Sequence, residues 1–356
     1  MRRLTVDQRG IITPVKPAIR HAGSVTPYVK PNPSLLRIDR LRNGEPPIMC
    51  ITRKQGGIGD VLMTLPAVKA IATKYQVKID YGTDMHYLDG ALQKVLMYNK
   101  YINQVIDWNR VSIENYDAII DLTCPCIAHE KPLAPPINRI DLFARHARIH
   151  LINHEIDYQI TDDELEWADN YIYDHNLTRN KLIFVQPFAS AINRSAPVDK
   201  IKETIKILNT TLSNVKFILA IHDSDYLKVD WYLPNVHLFK NYDIRHIAAM
   251  MSKSKLVVCQ DSAVLHIASA LHHLTLALFG PTDPRARINY HPEAIAVWPA
   301  IDLANQPSWY EPLKDGYMCW KLINPYVVAE TIMSMVTDQP INYYRELINY
   351  GQLINI

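Results

Sequence analysis

Two short runs, about two hundred residues apart, carry the side chains and backbone that could do chemistry: Gly56-Gly57-Ile58-Gly59-Asp60 and Asp261-Ser262-Ala263-Val264-Leu265-His266. Each reads as a loop entering an amphipathic helix after an apolar strand. In the first, glycine lets the backbone approach a ligand and tolerates positive φ, while the helix start favours negative charge. Asp60 stands at that start, either as a structural N-cap or as a general base at the mouth of a cleft. No Gly-Lys-Ser/Thr follows, so this is not a P-loop, and Asp60 and Val61 interrupt a dinucleotide fingerprint. In the second run the consecutive amides of Ser262, Ala263 and Val264 form an anion site suited to a diphosphate. His266, one turn later, is either a satisfied core histidine or a pocket group. Phe279-Gly280-Pro281-Thr282-Asp283-Pro284-Arg285 ends a strand in a Pro-bounded turn. It is expected beside the same pocket, because parallel sheets bind ligands at the carboxyl ends of their strands.

Holding these runs in place requires two α/β units, one in each half of the chain. Apolar stretches at 48–52, 77–82, 101–107 and 116–122 read as strands of a first parallel sheet, with helical spacing from Val61 to Ile71 between them. A mixed segment from Pro132 to about Ile160 closes this half. The second half repeats the pattern, with strands at 181–187, 215–221, 256–259 and 275–280 and helices at 163–175, 198–212, 244–251 and 264–271. Asn324-Pro325 opens a last helix, proline being compatible with its first turn. A length of 356 residues suits two domains. Two such units facing across a cleft suit a nucleotide-activated substrate meeting an acceptor.

Composition excludes several classes. With 48% hydrophobic and 21% charged residues the chain is globular, and a net charge of +2 gives no global field for a polyanion. The five cysteines are odd in number and dispersed, with Cys124-Pro125-Cys126 matching neither a zinc knuckle nor a redox pair. Free, buried thiols in a reducing compartment are expected. The start lacks the apolar core of a signal peptide, and no stretch is apolar enough to span a bilayer, so a cytoplasmic protein without a transmembrane segment is expected. Residues 1–47 form a basic, Pro-rich arm, with Arg2, Arg3, Arg9, Lys16, Arg20, Lys30, Arg37, Arg40 and Arg42 against Asp7, Asp39 and Glu45. The arm either packs over the body or contacts an anion such as nucleic acid or a phosphorylated glycan.

Gly57 through Val68 resembles the N-terminal signature of the bacterial heptosyltransferase family, glycosyltransferase family 9. Asp261 through Leu271, followed by Leu278 through Pro284, resembles its C-terminal donor-binding signature. Weaker echoes lie at Tyr116-Asp117-Ala118-Ile119-Ile120-Asp121-Leu122, Asn193-Arg194-Ser195-Ala196-Pro197, Met318-Cys319-Trp320 and Asn324-Pro325-Tyr326-Val327. The resemblance implies a GT-B fold, two Rossmann-like domains with parallel sheets facing across a cleft. Residues 48–160 would form the acceptor domain and 161–335 the donor domain, with 336–356 a tail. It implies an inverting, metal-independent glycosyltransferase that needs no cofactor beyond its nucleoside-diphosphate sugar donor. Asp60 would deprotonate the acceptor hydroxyl, with Gly57 and Gly59 in the loop near it. Ser262, Ala263 and Val264 would hold the diphosphate, Arg194 would neutralise the leaving group, and Asp261, His266 and Thr282 would shape that pocket. Two departures stand out: Ala263 replaces a glycine, where a positive φ would be strained, and Ser195 replaces a tryptophan. Asp223-Ser224-Asp225 is the nearest approach to a D-x-D metal motif and reads better as facing the ribose or solvent. The acceptor would be a glycan. Alternatives are a hydroxylated base in DNA gripped by the basic arm, a GT-B sugar-nucleotide epimerase, and a non-catalytic nucleotide-sugar binder. The oligomeric state is not encoded in any motif.

Overall fold

The computed structural model describes residues 46–54, 56–123, 126, 137–178, 181–222, 231–240, 243–298 and 318–337, with the backbone of short strands at 4–6, 12–14 and 353–354. The side chains of the basic arm through residue 45, Cys124, the Asp223-Ser224-Asp225 loop and the tail from Pro340 lie outside them.

The first half builds a parallel sheet of four strands: β1 (Met49–Arg53), β2 (Ile79–Thr83), β3 (Ile102–Asp107) and β4 (Ala118–Asp121), in the order β3-β2-β1-β4. Central β1 and β2 are buried along their whole length, as strands covered on both faces must be. The helical run after the glycine loop is two helices, not one: α1 (Ile58–Leu62) and α2 (Leu65–Tyr75). Pro66 cannot donate to the carbonyl of Leu62, so the helix restarts. Thr64 at the break donates to the Val61 carbonyl (2.6 Å) and pairs with the Tyr81 hydroxyl (2.8 Å). Two helices not expected from the sequence follow, α3 (Ala91–Leu96) and α4 (Arg139–His146), the latter capped by Asn138. Helix α5 (Asp162–Asp174) carries a full capping box, Thr161 with Glu164.

The second half holds β5 (Lys181–Val185), α6 (Val198–Thr211), β6 (Val215–Ala220), β7 (Val236–Phe239), α7 (Ile244–Ser252), β8 (Leu256–Gln260), α8 (Ala263–Ala270), β9 (Thr275–Leu278), α9 (Arg285–Ile288), β10 (Ala294–Val297), α10 (Met318–Lys321) and α11 (Pro325–Thr337). Its strands run in the order β10-β9-β8-β5-β6-β7, all parallel, with residues 353–354 pairing antiparallel to β10. Strands β7 and β10 extend the sheet on its two sides and were not expected from the sequence.

In each sheet the chain starts near the middle, builds outward on one side, then crosses to the other. The strand order therefore reverses between β1 and β4 and between β5 and β8, and a crevice opens at such switch points beyond the strands' carboxyl ends. The glycine loop follows β1, and the Asp261 loop follows β8. One buried apolar cluster runs from the first sheet through α1 and α8 into one face of the second, and another fills that second sheet's far face.

Gly280, expected at the pocket, faces inward. A Cβ there would lie 2.5 to 2.7 Å from the indole of Trp320, which is fully buried and donates to the Asn193 carbonyl at 2.8 Å. Gly280→Ala is expected to cost about 1–3 kcal/mol by overpacking, read as a lower urea midpoint. An unchanged midpoint would show that Trp320 has room to move.

Candidate active site

A cleft of about 670 Å³ lies where the two switch points meet. Gly57, Gly59, Asp60, Arg194, Asp261, Ser262, Ala263, Val264 and His266 all line it. Thr282 does not: the turn after β9 folds inward against Trp298 and Trp320, leaving Thr282 only 4% exposed with its hydroxyl unpartnered among the described residues.

The glycines have distinct tasks. Gly56 has φ of +120°, and a Cβ on it would strike the Arg53 guanidinium. Gly59 sits in α1 where that helix packs on α8, and a Cβ there would be 2.5 Å from His266 Cδ2. At Gly57 a Cβ would meet only the Tyr87 hydroxyl, at an ordinary contact distance of 3.9 Å.

Asp60 is an ion-pair hub, with Arg53 Nη2 at 3.1 Å and Arg139 Nη1 in hydrogen-bond contact. The Gly57 amide also approaches it, 3.4 Å away. Arg53 is held in turn by the Leu122 and Thr123 carbonyls at 2.5 and 2.9 Å. Burial works to raise the Asp60 pKa, but Arg139, then Arg53 and Arg287, outweigh it and hold it at about 2. Arg139 and Arg53 were not legible as site residues: Arg139 opens α4 inside the mixed segment, and Arg53 ends a strand.

Across the cleft, Asp261 forms ion pairs with two more arginines. Arg287 Nε lies 3.3 Å from Oδ1, and Arg194 Nη1 lies 3.4 Å from Oδ2 and donates to the Asp261 carbonyl at 2.8 Å. Burial opposes ionisation, yet Arg287 and Arg194 keep this carboxyl far below the usual range. Ser262, the N-cap of α8, does not cap it; its hydroxyl donates instead to Gln186 Oε1 at 2.5 Å. The helix start thus has no N-cap side-chain bond, and Ser262, Ala263 and Val264 line the cleft. Ala263 is the first helical residue and is absent from the positive-φ positions, so the strain expected from a missing glycine does not arise.

His266 is 3% exposed and packed on Gly59, between the two carboxylates. It is both a core histidine and a cleft-lining group. Burial pulls its pKa down to about 4, with Asp261 opposing, so it is neutral at pH 7. His291 is pulled to about 4 by burial as well. An unfolded histidine binds its proton near pH 6.5. Between pH 6.5 and 4 the unfolded chain therefore holds protons that the native one lacks, and stability falls as pH falls through that window. His266→Gln is expected to flatten the slope of unfolding free energy between pH 7 and 5. Identical slopes would place the histidine's proton elsewhere.

Among the described residues no group of three or more His, Cys, Asp and Glu side chains is arranged to hold a metal. Among the described residues, Cys50, Cys126, Cys259 and Cys319 are buried. No described helix is long and apolar enough to cross a membrane.

Two Rossmann-like halves with their switch points opposed across a cleft make a GT-B fold. The sequence profile of glycosyltransferase family 9 (heptosyltransferase) matches residues 129–311, just over half of the chain, and the chain belongs to that family. A family 9 glycosyl transferase of Veillonella parvula superposes with a TM-score of 0.62 at 16% identity, covering 82% of this chain and 97% of that one. ADP-heptose lps heptosyltransferase II of E. coli gives 0.57 at 13% identity, covering 82% and 99%. E. coli heptosyltransferase WaaC with ADP gives 0.54 at 15%, covering 81% and 100%. No curated protein sequence matches the chain.

Proposed function

We propose that this glycosyltransferase moves a sugar, with inversion and without a metal, from a nucleoside-diphosphate sugar to a hydroxyl of a glycan. The observation that carries the reading is the opposition of Asp60 on one wall to uncapped helix amides and Arg194 on the other. The amides of Ser262, Ala263 and Val264 and the Arg194 guanidinium would receive the diphosphate, supplying the positive charge that the leaving group needs. The acceptor oxygen attacks the anomeric carbon on the face opposite the diphosphate. The bond from that carbon to the phosphate oxygen breaks, and its electron pair leaves with the nucleoside diphosphate. The acceptor proton passes to Asp60.

A carboxylate held near 2 is a weak base toward a free alcohol. It suffices here because the attacking hydroxyl becomes strongly acidic once its oxygen bonds to carbon, so proton transfer comes late. Asp261, Arg287 and His266 position Arg194 and α8. ADP-heptose, named with the solved relatives, is the first donor to test. A cytoplasmic site of action fits the unpaired, buried thiols of Cys50, Cys259 and Cys319 among the described residues.

Thermal unfolding against ADP, GDP and UDP tests the donor side. A nucleotide at a hundred times its Kd adds about 2.7 kcal/mol. With the responding sugar nucleotide, transfer is expected to give the inverted anomer at an undiminished rate in EDTA. Retention of configuration, or a rate abolished by EDTA and restored by a divalent cation, would overturn the reading.

A further inference from the structure

Between β2 and α3 the backbone makes a turn that most sequences avoid. Leu88 and Asp89 take φ of 45° and 54°, and Gly90 follows at 80°. Left-handed backbone at a residue with a side chain costs on the order of 1–2 kcal/mol, and such strain gathers where function requires it. The turn is tightly held. The Tyr87 amide donates to the Asp84 carbonyl at 3.3 Å, the His86 amide to Asp84 Oδ1 at 3.0 Å, and the Ala91 amide reaches the carbonyls of Tyr87 and Leu88 at 3.2 Å each.

This geometry delivers Tyr87, Leu88 and Asp89 to the cleft wall. Leu88 is 63% exposed there, an apolar side chain held in water by strained backbone. Tyr87 packs its ring on the core and turns its hydroxyl toward Gly57, whose amide meets the Asp60 carboxylate. Burial and Asp60 push the Tyr87 phenol up while Arg194 draws it down, which puts the hydroxyl in the fields of both groups. It donates to no described side chain.

We propose that Tyr87, Leu88 and Asp89 form the subsite for the acceptor sugar, with Gly57 left bare to make room for it. The assignment rests on the functional reading above and extends it to the acceptor's chemistry. A pyranose has an apolar C–H face and a rim of hydroxyls. Leu88 covers the face, the Tyr87 hydroxyl donates to one ring oxygen or hydroxyl, and Asp89 accepts from another, beside the hydroxyl that loses its proton to Asp60. The three side chains present a carboxylate and no cation, so a neutral sugar suits this wall better than a phosphate backbone.

The test is calorimetric titration of a panel of neutral hexose and heptose oligosaccharides into protein loaded with whichever nucleoside diphosphate stabilises it. Tyr87→Phe is expected to weaken the oligosaccharide about tenfold, the scale of one lost hydrogen bond, with nucleotide affinity unchanged. Gly57 has φ of −83°, open to alanine, so Gly57→Ala should fold as the wild type does and still weaken the oligosaccharide. Leu88→Gly should raise the unfolding midpoint by relieving the turn, yet weaken the oligosaccharide, a combination that a purely structural role cannot give. Variants that bind the oligosaccharide like wild type, or lose nucleotide in parallel, overturn the subsite. So does a wild type that binds nucleotide and no oligosaccharide. A wild type that binds no nucleoside diphosphate fails the donor reading itself, and this subsite with it.

Discussion

Asp60→Asn is expected to lower kcat for transfer by about 10²–10⁴-fold, the usual contribution of a positioned general base, while nucleotide affinity stays near wild type. Asparagine keeps the shape and one acceptor oxygen but cannot take the proton. It also leaves Arg139 and Arg53 facing a neutral group, so the protein should lose stability as well. The two effects separate cleanly when kcat is measured well below the unfolding midpoint, with nucleotide titrated into the same sample. Acid should not mimic the substitution in the native enzyme, because Asp60 at about 2 stays ionised through the mildly acidic range. Removing its first cation raises that value, so Arg139→Met should bring an acid limb of kcat upward in pH. A transfer rate within threefold of wild type in Asp60→Asn would remove Asp60 from the proton step.

Asp261→Ala is expected to destabilise the fold by about 3–5 kcal/mol, the scale seen when one partner of a buried ion pair is deleted. Asp261 is 4% exposed, and Arg287, its nearest cation, is 5% exposed, so the charge left behind stays buried. At about 2–4 °C per kcal/mol for chains of this kind, the unfolding midpoint should fall by roughly 10 °C. Nucleotide affinity should fall too, because the Arg194 guanidinium loses the carboxylate that steers it. Asp261→Asn should lie between, keeping the hydrogen-bonding shape without the charge. The carboxylate's stabilisation is fully present above the ordinary carboxylate range and is lost as pH falls through the depressed folded value. A loss under 1 kcal/mol in Asp261→Ala would mean that water reaches Arg287 freely.

Much of the molecule was legible in the sequence for a physical reason. Strands buried on both faces must be continuous apolar runs, so β1, β2, β5, β6, β8 and β9 announced themselves. Mixed or half-covered elements did not: β7, α3 and α4 owe their form to neighbours rather than to their own pattern. The two loops were visible because a glycine cluster and a helix start have local causes. The break at Pro66 was also written in the sequence, yet the apolar spacing on either side concealed it.

By itself, then, the sequence determined the two α/β halves and singled out Asp60, Arg194 and the Asp261-to-His266 run, which the fold brings to one cleft. Only the tertiary structure decided what surrounds them. Arg53, Arg139 and Arg287 come from a strand end, a helix start and a one-turn helix far apart in the chain, and they set the charge state of both carboxylates. Folding likewise turned Thr282 away from the cleft, made Gly59 a seat for His266, and strained the backbone at Leu88. Burial and charge pairing are properties of three-dimensional neighbourhoods, and residues distant along the chain carry no local mark of the partners that folding gives them.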